Sequence, residues 1–381
     1  MPLRHLKLAA LASLALAAAC GSNPKPRADN ETLGGPRDAR APRDSVARRN
    51  SVIENNRPEV SGRAGLLVIA NQQGASATVL DAATLKTVAT VPVGQGPHEI
   101  AISIDGRWAV VTNYGTQAAA GNTLSVIDLA AEAPSVVRTI DLGQYQRPHG
   151  AAFVQGGTKV LVTSEAAQRL LLVDFISGRI DTAMATNARG SHMVTVQRDG
   201  RRAWTSNVGD GTVTEFDVDT RTTKRTFAVA PNVEGISATP GGVQVWIGSN
   251  TAKTVTVVNG ADAKVLGTLT GFGHPYRVGV SRSGRVALVS DPASNRVWIF
   301  DTGTRKELAQ IDLAAQKGVG SPAANAAPEG ITFDPITEYA YVTLHGTNQV
   351  MAIDLRTRKV TGFGSVGAGP DGIGFSPLVR P

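Results

Sequence analysis

From Gly65 onward the chain is a succession of short apolar runs punctuated by Gly, Asn, Asp and Pro. That is the pattern of strands joined by tight turns. The unit around His98 shows it in full. His98–Ser103 reads as a first strand, Asp105-Gly106 as a turn, Trp108–Thr112 as a second strand, Thr123–Asp128 as a third and Ser135–Asp141 as a fourth. Leu124, Val126 and Asp128 alternate with Ser125 and Ile127, but both sets are largely apolar, as in strands covered on both faces. An Asp or Asn closes the third strand of every unit: Asp81, Asp128, Asp174, Asp217, Asn259, Asp301 and Asp354, spaced by 47, 46, 43, 42, 42 and 53 residues. A side-chain oxygen there accepts hydrogen bonds from the following turn, so these seven residues read as structural. Seven units of four short strands predict an all-β, seven-bladed β-propeller.

The two ends of the repeat fit together. The first unit lacks an inner strand, because the preceding segment runs straight into Leu66–Ala70, while the last unit carries a surplus one, Asp371–Ser376. The C-terminal strand is therefore expected to complete the N-terminal blade, which removes an open sheet edge.

Val110-Val111-Thr112-Asn113 and Tyr341-Val342-Thr343 match the YVTN signature, and Ser103-Ile104-Asp105-Gly106-Arg107 matches its S-x-D-G-[KR] turn. On these residues the chain resembles the YVTN-repeat, YncE-like seven-bladed propellers from about Gly65 to Pro377. The resemblance implies the fold. Its functional implications are divided, since some relatives of this type resemble lactonases and one YncE-like relative suggests nucleic-acid binding. Trp204 and Trp246 stand at the Tyr position of the signature and are expected to pack between blades.

Aligning the seven inner strands places one residue per unit at the same point: His98, His149, His192, Glu234, Tyr276, Glu329 and Asp371. In a propeller these positions form a ring at the mouth of the central channel. His345, in the loop after the second strand of the last unit, lies on the same face. Glu165 occupies the equivalent loop position, and His274 precedes Tyr276 by two residues. All five histidines beyond His5 thus map to one end of the molecule. Three turn histidines that merely stabilise their own turns would give the same pattern. The functional alternative is that His98, His149 and His192 converge on a divalent ion, with zinc the best match and copper or iron the other candidates. Asp371 or Glu234 would then orient or complete the set. A metal-bound water could attack an ester or lactone with Glu234 or Glu329 as base. Without metal, the same ring, with Tyr276, Glu165, His345, His274 and Asp371, is a recess for a small polar ligand.

The N-terminus changes the setting. Arg4 and Lys7 precede an unbroken Leu/Ala/Ser run from Leu8 to Ala19, too short to span a bilayer but suited to a signal peptide. Leu16-Ala17-Ala18-Ala19-Cys20-Gly21 resembles a bacterial lipobox, which implies cleavage after residue 19, lipidation of Cys20 and, with Gly21 next, outer-membrane sorting. An ordinary signal peptide with an incidental Cys20 is the plainer alternative. Cys20 is the only cysteine, so disulfides cannot contribute. Residues 20–60, with Pro24, Pro26, Pro36, Pro42 and Pro58 and many charges, read as a disordered tether. The expected organisation is 1–19 signal, 20–60 lipidated tether and 61–381 a monomeric propeller.

The formal charge of +7 is concentrated in the leader and tether. Residues 61–381 hold about +3, weak attraction for nucleic acid or anionic lipid. Gly362–Gly367 fits G-x-G-x-x-G but is followed by Pro370 and a strand, so it is no dinucleotide site. Neither a G-x-S-x-G elbow nor an H-E-x-x-H pair is present. Two function classes lead: an envelope binding or scaffold propeller that recognises a small molecule or envelope protein through its channel mouth, and a metal-dependent hydrolase, lactonase or lyase at that same mouth; nucleic-acid binding is the weaker third.

Overall fold

A computed structural model describes residues 63–380. The signal segment, Cys20 and the tether lie outside the described residues. Seven four-stranded antiparallel sheets follow one another as blades. Blade 2 illustrates the order from the axis outwards: Pro97–Ile102, Trp108–Gly115, Ala120–Asp128 and Ser135–Asp141. The inner strands of the other blades are Pro148–Val154, Ser191–Val196, Val233–Ala238, Arg277–Val280, Pro328–Phe333 and Pro370–Ser376. The last of these pairs with Leu66–Asn71, so the C-terminus supplies the inner strand of blade 1, as expected. It also contacts the inner strands of blades 2 and 7, which closes the ring.

Second and third strands are buried over most of their length, which is why their sequences are apolar on both faces. The core is divided into clusters that join neighbouring blades. Trp204 of blade 4 packs with Val233, Ile236 and Val245 of blade 5, and Trp246 of blade 5 packs with Val278 and Val289 of blade 6. The seam is sealed the same way: Tyr341 of blade 7 lies with Leu67, Ile69 and Phe375 of blade 1. The seven Asp/Asn residues accept turn amides, for example Thr84 N–H to Asp81 Oδ1 at 2.7 Å and Ala261 N–H to Asn259 Oδ1 at 2.7 Å.

Two signature residues have visible jobs. The amides of Asn71, Asn113 and Asn207 donate to hydroxyls on the adjoining third strand. The Thr/Ser one residue earlier ties blades together. Inner strands are bulged where the ring residue sits, as between Pro97 and Ile100 or Pro328 and Ile331. A bulge leaves a backbone N–H and C=O unpaired. The Thr112 hydroxyl accepts from Glu99 N–H (2.9 Å) and donates to the carbonyl of His149 in the next blade (2.8 Å). Thr163 does this between Gly150 and His192, Ser206 between Met193 and Glu234, and Thr343 between Gly330 and Asp371. Neighbouring backbones come so close that a Cβ on Gly330 or Gly372 would stand 2.2 Å from the ring carbonyl of the next blade.

Replacing Thr112 by Val keeps the shape and removes the bridge. We expect Thr112→Val to lower stability by about 1–3 kcal/mol, because a buried N–H and C=O lose their partner. Denaturant unfolding of the variant measures it.

Candidate functional site at the channel mouth

The bulges and their hydroxyl bridges set the ring residues around the axis. One contact proves that the ring is shared across the channel: Arg277 of blade 6 donates to Glu99 of blade 2 at 2.7 Å and to Glu234 of blade 5 at 3.1 Å. Its guanidinium also lies over the Tyr276 ring, 4.2 Å from the centroid.

The three histidines form a stacked row. The ring centroids of His98 and His149 are 4.3 Å apart, and those of His149 and His192 are 3.7 Å apart. The row is flanked by carboxylates. Nδ1 of His98 lies 2.6 Å from Asp371 Oδ2, and Nε2 lies 2.7 Å from Gln72 Nε2. His192 has Glu165 at 3.3 Å from Nδ1 and Glu234 at 3.2 Å from Nε2. His149, in the middle, is 1% exposed and its Nδ1 has no hydrogen-bond partner. The Asp371 carboxylate is 0% exposed. His98 is at ion-pair distance from it but off the hydrogen-bond line, so both of its oxygens also lack an aligned donor.

Burial and charge divide the histidines into two kinds. Burial works against a charge on His192, but Glu234 and Glu165 outweigh it and push the imidazole up to about 9. His149 has no such partner; burial, then His192 and His98, hold it well below its ordinary value, so it is neutral. Glu234 is the mirror image of His192. Burial opposes its charge, yet His192 and Arg277 bring it down to about 2.

The sequence-derived candidates assemble at this face, each by a specific contact. Glu165 accepts from Tyr114 Oη at 3.1 Å. His345 Nδ1 is 3.1 Å from Glu329, and burial is the chief cause raising the Glu329 carboxyl above its ordinary value. His274 stacks on Tyr276 with centroids 6.1 Å apart. Of the two candidate bases, Glu234 is held as an anion between two cations, whereas Glu329 keeps a proton more readily and so has the basicity that proton transfer requires. For a metal the geometry is demanding. The nitrogens of His98 and His192 already face Gln72, Asp371, Glu165 and Glu234, whereas Nδ1 of the neutral His149 has no partner. Among the described residues no group of three or more His, Cys, Asp or Glu side chains is arranged to hold an ion. An ion at this row would have to displace existing partners.

Several mouth residues escape the sequence reading. Arg277 and Glu99 directly follow ring positions, where four other blades carry Gly150, Gly235, Gly330 and Gly372. Two opposite charges in a row of glycines are the signal that could have found them. Gln72, Tyr114 and Asn250 occupy the same loop position as Glu165 and His345, and Asn250 donates to Glu234. At the opposite end, an open groove of about 350 Å³ is lined by turn residues including Arg198, Pro240, Arg282 and Thr302. It lacks the convergence of buried ionisable groups that marks a functional recess.

No family model matches the chain, and no curated protein does either. Solved structures do. A functionally unknown protein from Desulfotomaculum acetoxidans DSM 771 superposes with a TM-score of 0.67 at 14% identity, over 82% of this chain and 99% of its own. Hydrazine synthase from Kuenenia stuttgartiensis gives 0.61 at 16% identity, over 73% of this chain and 88% of that one. The shared feature is the fold. The chain is a seven-bladed β-propeller.

The two kinds of histidine predict a two-sided pH profile. His192, raised from 6.5 to about 9, contributes stability that is full below pH 6.5 and lost as pH rises through 9. His149, depressed below 6.5, contributes stability present above pH 6.5 and lost as pH falls further. Thermal unfolding against pH should therefore show His192→Gln flattening the alkaline limb and His149→Phe flattening the acid limb.

Proposed function

We propose that this protein is an exported, lipid-anchored propeller whose channel mouth binds a small polar ligand. The observation that carries the binding reading is a set of buried ring groups without an aligned hydrogen bond: Nδ1 of His149, which has no partner, and Nδ1 of His98 with the Asp371 carboxylate, which face each other only at ion-pair distance. Folded proteins leave few such groups, because each costs about 1–3 kcal/mol. A site that keeps them supports a role in which a ligand supplies the missing partners. The rest of the ring is built for rigidity, with Arg277 locked to Glu99 and Glu234 and the backbone pinned by hydroxyl bridges. Rigidity lowers the ordering cost of binding. The carboxylates of Glu99, Glu165, Glu234, Glu329 and Asp371 would repel phosphate, which argues against nucleic acid at this face.

The anchoring part rests on residues 1–20. Its signals are the Leu/Ala run from Leu8 to Ala19 and the lipobox-like Cys20. Lipidation at Cys20 would add acyl chains enough for stable attachment.

Two measurements test the reading. Thermal unfolding of the full-length protein against a library of small polar solutes should find at least one that stabilises it, by ~2.7 kcal/mol at a concentration a hundredfold above Kd. His149→Phe should abolish the shift and Arg282→Ala, in the opposite groove, should leave it. A shift lost with Arg282→Ala and kept with His149→Phe moves the site to the other face. For the anchor, Cys20→Ser should abolish incorporation of labelled palmitate and release the protein from the membrane fraction; unchanged labelling would refute lipidation there.

A further inference from the structure

The mouth holds one cation seat that the chain fills itself. Arg277 lies on the Tyr276 ring and satisfies Glu99 and Glu234. An aromatic face beside carboxylates is the environment that a cation prefers. A second seat of the same make lies beside it, where His98 and Arg277 stand at ion-pair distance from the acid without an aligned hydrogen bond. Its acid is Asp371, fully buried on the closing strand, with neither oxygen met by an aligned donor. The nearest guanidinium atom, Arg277 Nη2, is 3.5 Å from Oδ1. Its aromatic walls are His98 and His149, each packed edge-on against Tyr114 with centroids 4.9 and 5.5 Å apart. His149 adds a free, neutral imidazole nitrogen.

Resting on this understanding of the mouth as a ligand site, we propose that its ligand is a small organic cation whose ammonium group donates to Asp371 and to Nδ1 of His149. Charge points the same way. Five carboxylates, Glu99, Glu165, Glu234, Glu329 and Asp371, gather at the mouth with two arginines, Arg277 among them and Arg147 over Tyr114. An ammonium brings several N–H donors and a positive charge, which are what a buried carboxylate and a neutral imidazole both lack. A carboxylate, phosphate or other anion would meet acceptors with acceptors. A metal ion also takes oxygen and imidazole nitrogen, but among the described residues no three such donors are set to share one.

Two amides lie over the histidines of the mouth. Gln72 and Gln73, at the tip of the first hairpin, reach over the ring, with Nε2 atoms 2.7 Å from His98 Nε2 and 3.2 Å from His345 Nε2. Gln73 is exposed, and the hairpin that carries both is held by Gln72 N–H on the Gly369 carbonyl.

The test uses full-length protein, calorimetric titration and thermal unfolding, with four probes: ethylammonium, the diamine putrescine, propionate and zinc chloride. We expect saturable binding of an ammonium probe, weakened at least tenfold by Asp371→Asn and by His149→Phe, and unchanged by Glu132→Gln on the exposed surface. If Asp371→Asn loses its cooperative unfolding transition, His149→Phe decides, since it keeps a flat ring in the stack. Binding of zinc or propionate at the mouth with both amines inert overturns the cation class and leaves the ligand-binding reading standing. Amine binding that survives both variants overturns the seat. Failure of these four probes together with the whole polar library overturns both.

Discussion

The molecule depends on a hydroxyl placed between blades. A propeller must bring seven inner strands around one axis, and at the bulge each strand exposes an N–H and a C=O that no sheet partner can reach. Thr112, Thr163, Ser206 and Thr343 meet this need by accepting from their own blade and donating to the next. The bond is made at the carbonyl of the ring residue itself. The same interaction therefore closes the circle and fixes the backbone from which each mouth side chain projects. Where the hydroxyl is missing, other devices appear. Ala70 stands at that position in blade 1 and Gly248 in blade 5, and a Cβ on Gly248 would come within 2.8 Å of the Pro275 carbonyl.

A rigid ring of ionisable groups in low dielectric forces a division of labour. Charges that find opposite charges keep them, as His192 and Glu234 do, and those that do not are neutralised, as His149 is. Arg277 is central to this balance because it touches carboxylates from three other blades, Glu99, Glu234 and Asp371. Buried ion pairs of this kind are poor sources of stability after desolvation. Their value lies in geometry: they hold an electrostatically uneven recess at one end of an otherwise apolar stack.

Much of this was legible in the residues. The Asp/Asn residue after every third strand is a local signal, since it serves the turn that follows it directly, and it yields the blade count. The ring of His98, His149, His192, Glu234, Tyr276, Glu329 and Asp371 follows from repeat phase alone, because circular symmetry converts equal phase into spatial adjacency. What phase cannot supply is side-chain reach. Arg277 sits one position beyond the ring and still dominates it, because a long guanidinium side chain crosses the axis to Glu99. Nor does phase say which way an imidazole turns. The sequence allows three histidines to converge on one point; in the structure they stack, and the partners that turn them, Gln72, Glu165 and Asp371, come from other strands.

The closing strand ties two tasks to one segment. Residues 370–376 pair with Leu66–Asn71 and carry Asp371 into the ring between blades 7 and 2. Without that segment, blade 1 has an uncovered edge and the mouth lacks its most deeply buried acid. Sealing the circle and assembling the recess are therefore inseparable.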